Sequence, residues 1–229
     1  MSNQQNKFGQ PIGKPLDVTL PRPRPPHTAL RGQYCELLPT DATLHAQSLF
    51  DAFAAHEDST LWTYMPYGPF ANLAVFEDWM RNITQGNDPL FYTIVVDGKP
   101  LGLASFLRID PGNGVIEVGY ITYAPALQRT RAATEAMYLM MRHAFEDLGY
   151  RRYEWKCDDL NAPSRQAAAR LGFTYEGTFR KATHYKGRTR DTAWFSIIDS
   201  EWPARKAAFE AWLNPDNFDA DGKQKQPLN

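Results

Sequence analysis

Four groups of residues in this 229-residue chain have types and spacings suited to chemistry. The first is Ile121-Thr122-Tyr123-Ala124-Pro125-Ala126-Leu127-Gln128-Arg129-Thr130-Arg131-Ala132-Ala133-Thr134, where an apolar, β-branched run gives way to helical periodicity. Free backbone N–H groups at a helix start, with the positive end of the macrodipole, form an anion site. Arg129 and Arg131 face the wrong end of that dipole, each at a cost of about 0.3–1 kcal/mol. A bound diphosphate reverses the sign; the alternative is a solvated basic turn. The second is Glu117, on a run whose two faces are both mainly apolar, so its carboxylate is not simply solvated. It serves either a cross-strand ion pair, with Arg108, or as a general base. The third is Asn161-Ala162-Pro163-Ser164, a helix start in which Asn161 is the N-cap and Pro163 sits in the first turn. The fourth, 62–70, holds four aromatic residues in nine, among them Trp62, Tyr64 and Tyr67. It is either loop packing or the wall of a site for an apolar or cationic group.

The elements that must position these groups follow from periodicity. Strands are expected at 34–38, 91–96, 101–109, 115–122, 152–156, 173–185 and 189–198, with turns at Asp97-Gly98, Asn113-Gly114 and Lys186-Gly187. Helices are expected at 41–55 (Asp41 as N-cap), 73–85, 130–148, 161–171 and 200–213. On 115–122, strict alternation places Val115, Glu117, Gly119 and Ile121 on one face. The order predicts an α+β fold with a mixed, mostly antiparallel sheet of about seven strands and helices on its faces. Residues 1–29 hold Pro11, Pro15, Pro21, Pro23, Pro25 and Pro26 and form an extended arm, either loose or draped over the domain. The domain is 30–213; residues 214–229 are polar and read as a disordered tail.

Composition removes other classes. Twenty-five Lys and Arg against 26 Asp and Glu leave a net charge of -1, without the positive excess of a nucleic-acid or membrane-surface binder. No apolar run approaches the length of a membrane span, and the N-terminus lacks a signal-peptide core. Two cysteines, Cys35 and Cys157, form neither a disulfide framework nor a metal-ligand spacing, and His27, His45, His56 and His143 add none. A cytoplasmic, metal-free protein is expected, as a monomer or homodimer.

The strand–Gln-x-x-(Gly)-x-Ala–helix arrangement around Gln128 resembles the coenzyme A pyrophosphate loop of the GNAT superfamily of N-acetyltransferases. Asn161-Ala162-Pro163-Ser164 with Arg170-Leu171-Gly172-Phe173, and Tyr175-Glu176-Gly177 with Tyr185-Lys186-Gly187-Arg188 and Asp191, resemble the RimJ/RimL branch. The resemblance covers about 30–213. It departs at Arg131, where the family commonly has Gly; Arg131 instead offers a guanidinium to a phosphate.

The resemblance implies a GNAT fold whose central strands splay apart, with acetyl-CoA as co-substrate and a primary amine of a small molecule or peptide as acceptor. The diphosphate lies on the amides of 129–134, and an N–H within 121–123 stabilises the oxyanion. Asn161 holds the pantetheine arm, and the Ser164 hydroxyl lies near the departing sulfur. A strand glutamate eleven residues before the loop Gln, here Glu117, takes the proton of an amine that is only about 0.1% neutral at pH 7. Attack is direct, so Cys157 is structural. Trp62, Tyr64, Tyr67 and His184 border the acceptor. Thr183 stands where ribosomal acetyltransferases carry a glutamate. Two rival readings stay open: a non-catalytic acyl-CoA sensor, and an enzyme for ribosomal-protein or N-terminal amines.

Overall fold

The computed structural model describes residues 4–55 and 58–228; His56 falls outside them. The described residues form ten strands and five α-helices, which from β4 onward follow the expected order: β1 (Gln4–Gln5), β2 (Pro11–Ile12), β3 (Leu30–Arg31), β4 (Glu36–Pro39), α1 (Ala42–Ala54), α2 (Leu73–Ile83), β5 (Leu90–Val96), β6 (Lys99–Asp110), β7 (Val115–Tyr123), α3 (Arg131–Arg142), β8 (Arg152–Asp158), α4 (Ala162–Arg170), β9 (Thr174–Tyr185), β10 (Arg188–Ile198) and α5 (Trp202–Leu213). The main sheet runs β3-β4-β5-β6-β7-β8-β10-β9. It has eight strands rather than seven, because Leu30–Arg31, too short to read from periodicity, adds an edge to β4. Every pairing is antiparallel except β7 with β8. No helix among the described residues is long and apolar enough to cross a membrane.

Two apolar clusters cover the two faces. One packs α3, with Met137, Met140 and Met141, against Ile116, Val118, Tyr153 and Trp155. The other packs Leu49 and Phe53 of α1 and Phe76 and Met80 of α2 against Leu103. The methionine stripe is therefore core, as its helical spacing predicts.

The arm is draped over the end of the sheet where β6 turns into β7 and β5 begins. Arg22 N donates to Pro111 O at 2.9 Å, Tyr150 Oη to Pro23 O at 3.2 Å and His27 Nε2 to Phe91 O at 2.7 Å. Pro23, which has no N–H to donate, still accepts through its carbonyl. The segment expected to be disordered, 214–228, is instead ordered. Asn214 caps a short turn at Pro215–Asn217, Phe218 and Leu228 are buried, and Trp212 Nε1 donates to Gln224 Oε1 at 2.8 Å. Two apolar anchors suffice to tie down a polar segment whose average composition masks them.

Candidate active site

The β7–β8 ladder runs only from Val115–Arg152 to Val118–Trp155, yet β7 continues to Tyr123 and β8 to Asp158. The two strands therefore fork at the centre of the sheet, leaving ladder groups open along both inner edges. Tyr120, with φ 52°, forms a bulge in β7: Gly119 pairs with Ser105, but Thr122 pairs with Leu103. The extra residue shifts the alternation. Glu117, Gly119 and Thr122 thus share the face covered by α1 and α2, whereas Ile121 and Tyr123 pack toward α3. This corrects the grouping of Glu117 with Ile121, since strict alternation assumes an unbulged strand.

Glu117 lies at the base of the fork, 5% exposed. Its Oε2 accepts from Lys156 Nζ at 2.8 Å and lies 3.3 Å from Arg108 Nε. Burial pushes its pKa above the ordinary carboxylate value; Lys156 and Arg108 pull it back only in part. The ion pair with Arg108 thus exists alongside a carboxylate that is more basic than usual. At Gly119 a Cβ would stand 3.5 Å from Glu117 Oε1 and 3.0 Å from Leu107, so glycine keeps the approach to that carboxylate clear.

Beyond the fork, Gln128 Nε2 donates to Tyr123 O at 3.0 Å and shapes the turn into α3. Arg129 takes φ 61°, and the Thr130 hydroxyl caps the helix by accepting from Ala133 N at 3.1 Å. The N–H groups of Arg129, Arg131 and Ala132 have no acceptor among the described residues. Such a row of free amides at a helix start fits a diphosphate. Thr134 Oγ1 accepts from Arg170 Nη1 at 3.2 Å. The Arg131 side chain turns toward the C-terminal segment, 4.1 Å over the Phe218 ring and 5.3 Å from that of Tyr34.

On the other prong, Asn161 Oδ1 accepts from Ser164 N at 3.1 Å, and Ser164 Oγ accepts from Trp155 Nε1 at 3.0 Å. With its lone pair engaged by the indole, the Ser164 O–H remains a donor. The Cys157 thiol is buried, and burial raises its pKa, as suits a thiol that stays protonated.

The aromatic residues divide. Trp62 is core: its ring packs edge-on to Phe53 and Phe70, which corrects its assignment to the acceptor wall. Gly68, at φ +63°, lies against that indole, and a Cβ there would approach it to 2.6 Å. Tyr67 does reach the fork; its Oη lies 3.1 Å from Thr122 Oγ1 and its ring stacks on Tyr120. Tyr67, Trp79, Phe91 and Tyr120 line a recess of about 350 Å³. Tyr64 Oη donates to Leu160 O at 3.1 Å, while Lys186 Nζ and Arg188 Nη2 donate to the carbonyls of Trp62 (2.7 Å) and Thr63 (2.6 Å). The loop is thereby tied to the β9–β10 hairpin. His184 is exposed on β9 opposite Thr189, with no bond to the fork. Lys156 and Trp194 were not foreseen as site residues, because only the cross-strand register brings them beside Glu117.

Residues 37–174 match the family described as "Acetyltransferase (GNAT) domain". The fold superposes with a TM-score of 0.91 on the crystal structure of a GCN5-related N-acetyltransferase from Brucella melitensis, 46% identical over 93% of this chain and 97% of that one. A probable GNAT-family acetyltransferase from Chromobacterium violaceum is 39% identical, covering 85% of this chain and 98% of that one, with a TM-score of 0.79. The ribosomal-protein-serine acetyltransferase of Escherichia coli is 29% identical over 133 residues, 55% of this chain and 74% of the relative. With the forked central strands, the bulge and the free amides at the start of α3, these matches identify the chain as a member of the GNAT family and an acyl-CoA-dependent N-acetyltransferase.

Proposed function

We propose that the protein moves an acetyl group from acetyl-CoA to the primary amine of a small molecule or peptide by direct attack, with Glu117 as the base and Ser164 as the donor to the departing sulfur. The observation that carries this is a buried, unusually basic carboxylate at the base of the fork. The pantetheine arm fits between β7 and β8, where the strands stop pairing, and the diphosphate fits the free amides of Arg129, Arg131 and Ala132. Glu117, directly or through one water, takes a proton from the ammonium, and the neutral nitrogen attacks. The Ser164 hydroxyl then hydrogen-bonds the leaving thiolate, whose conjugate acid has a pKa of about 8.5. Holding both substrates in one groove supplies much of the acceleration.

A small acceptor is favoured over a folded protein by the clamp between 62–70 and the β9–β10 hairpin, which narrows the acceptor side. Thr183, in place of an acid on β9, also separates this chain from the ribosomal reading that the Escherichia coli relative's name raises. The test is thiol release from acetyl-CoA over a panel of amines and peptides, for the wild type and Glu117→Gln. Acceptor-dependent release that Glu117→Gln abolishes supports the reading. Acetyl-CoA binding without any acceptor-dependent release points to a sensor.

A further inference from the structure

A strongly basic group at the fork has no task in the reaction just described. Arg190 lies on β10, on the strand face that carries Thr192 and Trp194 and therefore faces the same side as Lys156 and Glu117. Its charge acts on three groups from three strands: the hydroxyls of Tyr120 at the β7 bulge and Tyr185 at the end of β9, and the thiol of Cys157 near the end of β8. Tyr120 stands at the β7 bulge, and Tyr185 bonds Asp158, which pairs with Thr192 on the same face of β10 as Arg190, so the guanidinium stands on the open, acceptor side of the fork.

The Nε of Arg190 is buried and has no hydrogen-bond partner, and no described carboxylate lies within ion-pair distance of the side chain. The acids around it are committed elsewhere. Glu117 is taken by Lys156 and Arg108. Asp158 accepts from Tyr185 Oη at 2.7 Å and Leu160 N at 2.9 Å. Asp191 accepts from Lys181 N at 2.6 Å. The two neighbouring cations of the hairpin, Lys186 and Arg188, are spent on the carbonyls of Trp62 and Thr63. Of these hairpin cations, Arg190 is the one that keeps a buried Nε–H without return for its lost hydration, a state that an incoming anion relieves.

We propose that Arg190 anchors an oxyanion of the acceptor, so that the acetylated amine belongs to a molecule carrying a carboxylate or a phosphate group near its nitrogen. This rests on the acetyl-transfer reading above and names its substrate class. A planar guanidinium binds either oxyanion through two parallel hydrogen bonds, which orients the acceptor as well as holding it. Tyr120 links the anchor to the aromatic recess: its ring lines the recess and its hydroxyl feels Arg190. An acceptor of this class therefore has three fixed points, with its anion at Arg190, its amine at Glu117 and its apolar portion against Tyr67, Trp79 and Phe91.

The test is steady-state thiol release from acetyl-CoA with matched amines: one bearing a free carboxylate, one a phosphate monoester, and the uncharged amide or ester of each. In the wild type, the better oxyanion-bearing amine should exceed its uncharged counterpart about 10²-fold in kcat/KM, and the larger of the two ratios names the oxyanion. Arg190→Gln should bring that ratio to within about 3-fold, with the loss appearing in KM of the anionic acceptor. Arg190→Lys, which keeps the charge but not the fork, should lie between, and it carries the test if Arg190→Gln does not fold. A wild type indifferent to acceptor charge overturns the proposal while leaving acetyl transfer intact. So does an Arg190→Gln variant whose kcat falls equally for charged and uncharged amines, since that is the signature of a group acting on the departing sulfur. Absence of release with every amine overturns the transfer reading itself, and this proposal with it.

Discussion

Glu117 Oε2 and Lys156 Nζ lie 2.8 Å apart, with both side chains 7% exposed, and the same ammonium reaches Glu154 Oε2 at 2.7 Å. One buried cation therefore serves two carboxylates that are register partners on adjacent parallel strands. The two are not equivalent. Burial raises Glu117, and its cations only partly offset this. Burial pushes Glu154 upward too, but the hydrogen bonds from Lys156 and Arg152 outweigh it and hold its pKa below the ordinary value. Environments that drive two carboxyls apart in this way divide their roles: Glu154 is a fixed counter-charge, and Glu117, at the fork, is the one able to take a proton.

Glu117→Gln should lower kcat by ~10²-fold or more, while calorimetry finds the acetyl-CoA affinity nearly intact, because the carboxylate lies on the acceptor side. Unchanged turnover at neutral pH would remove Glu117 from the mechanism.

Lys156→Met should move the acid limb of the kcat/KM–pH profile upward. Lys156 holds the Glu117 pKa down, so its loss lets burial raise that pKa further, and a base must be ionised to act. The deficit should therefore be larger at about pH 6 than at about pH 8.5. Two carboxylates left without their shared cation should also cost about 3–5 kcal/mol, read by urea unfolding.

Glu154→Gln should flatten the acid side of the stability–pH curve. Its folded pKa is below its unfolded one, so its stabilisation is present above the unfolded pKa and disappears as pH falls through the folded value. Urea midpoints measured from neutrality down to about pH 3 check this, and identical curves for wild type and variant would refute it.

Ser164→Ala should slow turnover about 10-fold through the leaving group, and it also leaves the Trp155 indole N–H without its acceptor, at about 1–3 kcal/mol. Trp155→Phe removes the same hydrogen bond but keeps the hydroxyl. A drop in kcat confined to Ser164→Ala separates chemistry from packing.

Phe218→Ala should cost about 3 kcal/mol of stability, because the ring is 8% exposed, packs on Trp212 and is covered by the Arg131 guanidinium. Acetyl-CoA should bind more weakly to this variant, as Arg131 is the first residue of α3, whose free amides are the proposed seat of the diphosphate. A variant with wild-type melting would mean that the segment 214–228 is not held by this anchor.

Local signals were enough wherever a short window carried the physics. Asp41 and Asn161 each cap the helix that follows, and Asp97-Gly98 and Lys186-Gly187 turn where such pairs must. The β3 edge and the ordered C-terminal segment escaped notice because two-residue pairings and two isolated apolar anchors leave no period to detect. The bulge at Tyr120 escaped for a related reason: a non-glycine residue at positive φ inside a strand has no sequence mark, yet it decides which side chains share a face with Glu117.

By itself, the chain's residue order determined the strand-and-helix plan, the Gln128 turn into α3 and the placement of the Glu117 carboxylate on a strand, since each depends on neighbours within a few positions. Only the tertiary structure decided what surrounds that carboxylate: Lys156 from 39 residues away, the clamp of 62–70 by the β9–β10 hairpin, and the unpaired Arg190. Electrostatics and desolvation act through space, and the distances that set them come from strand register and twist, which no window of sequence contains.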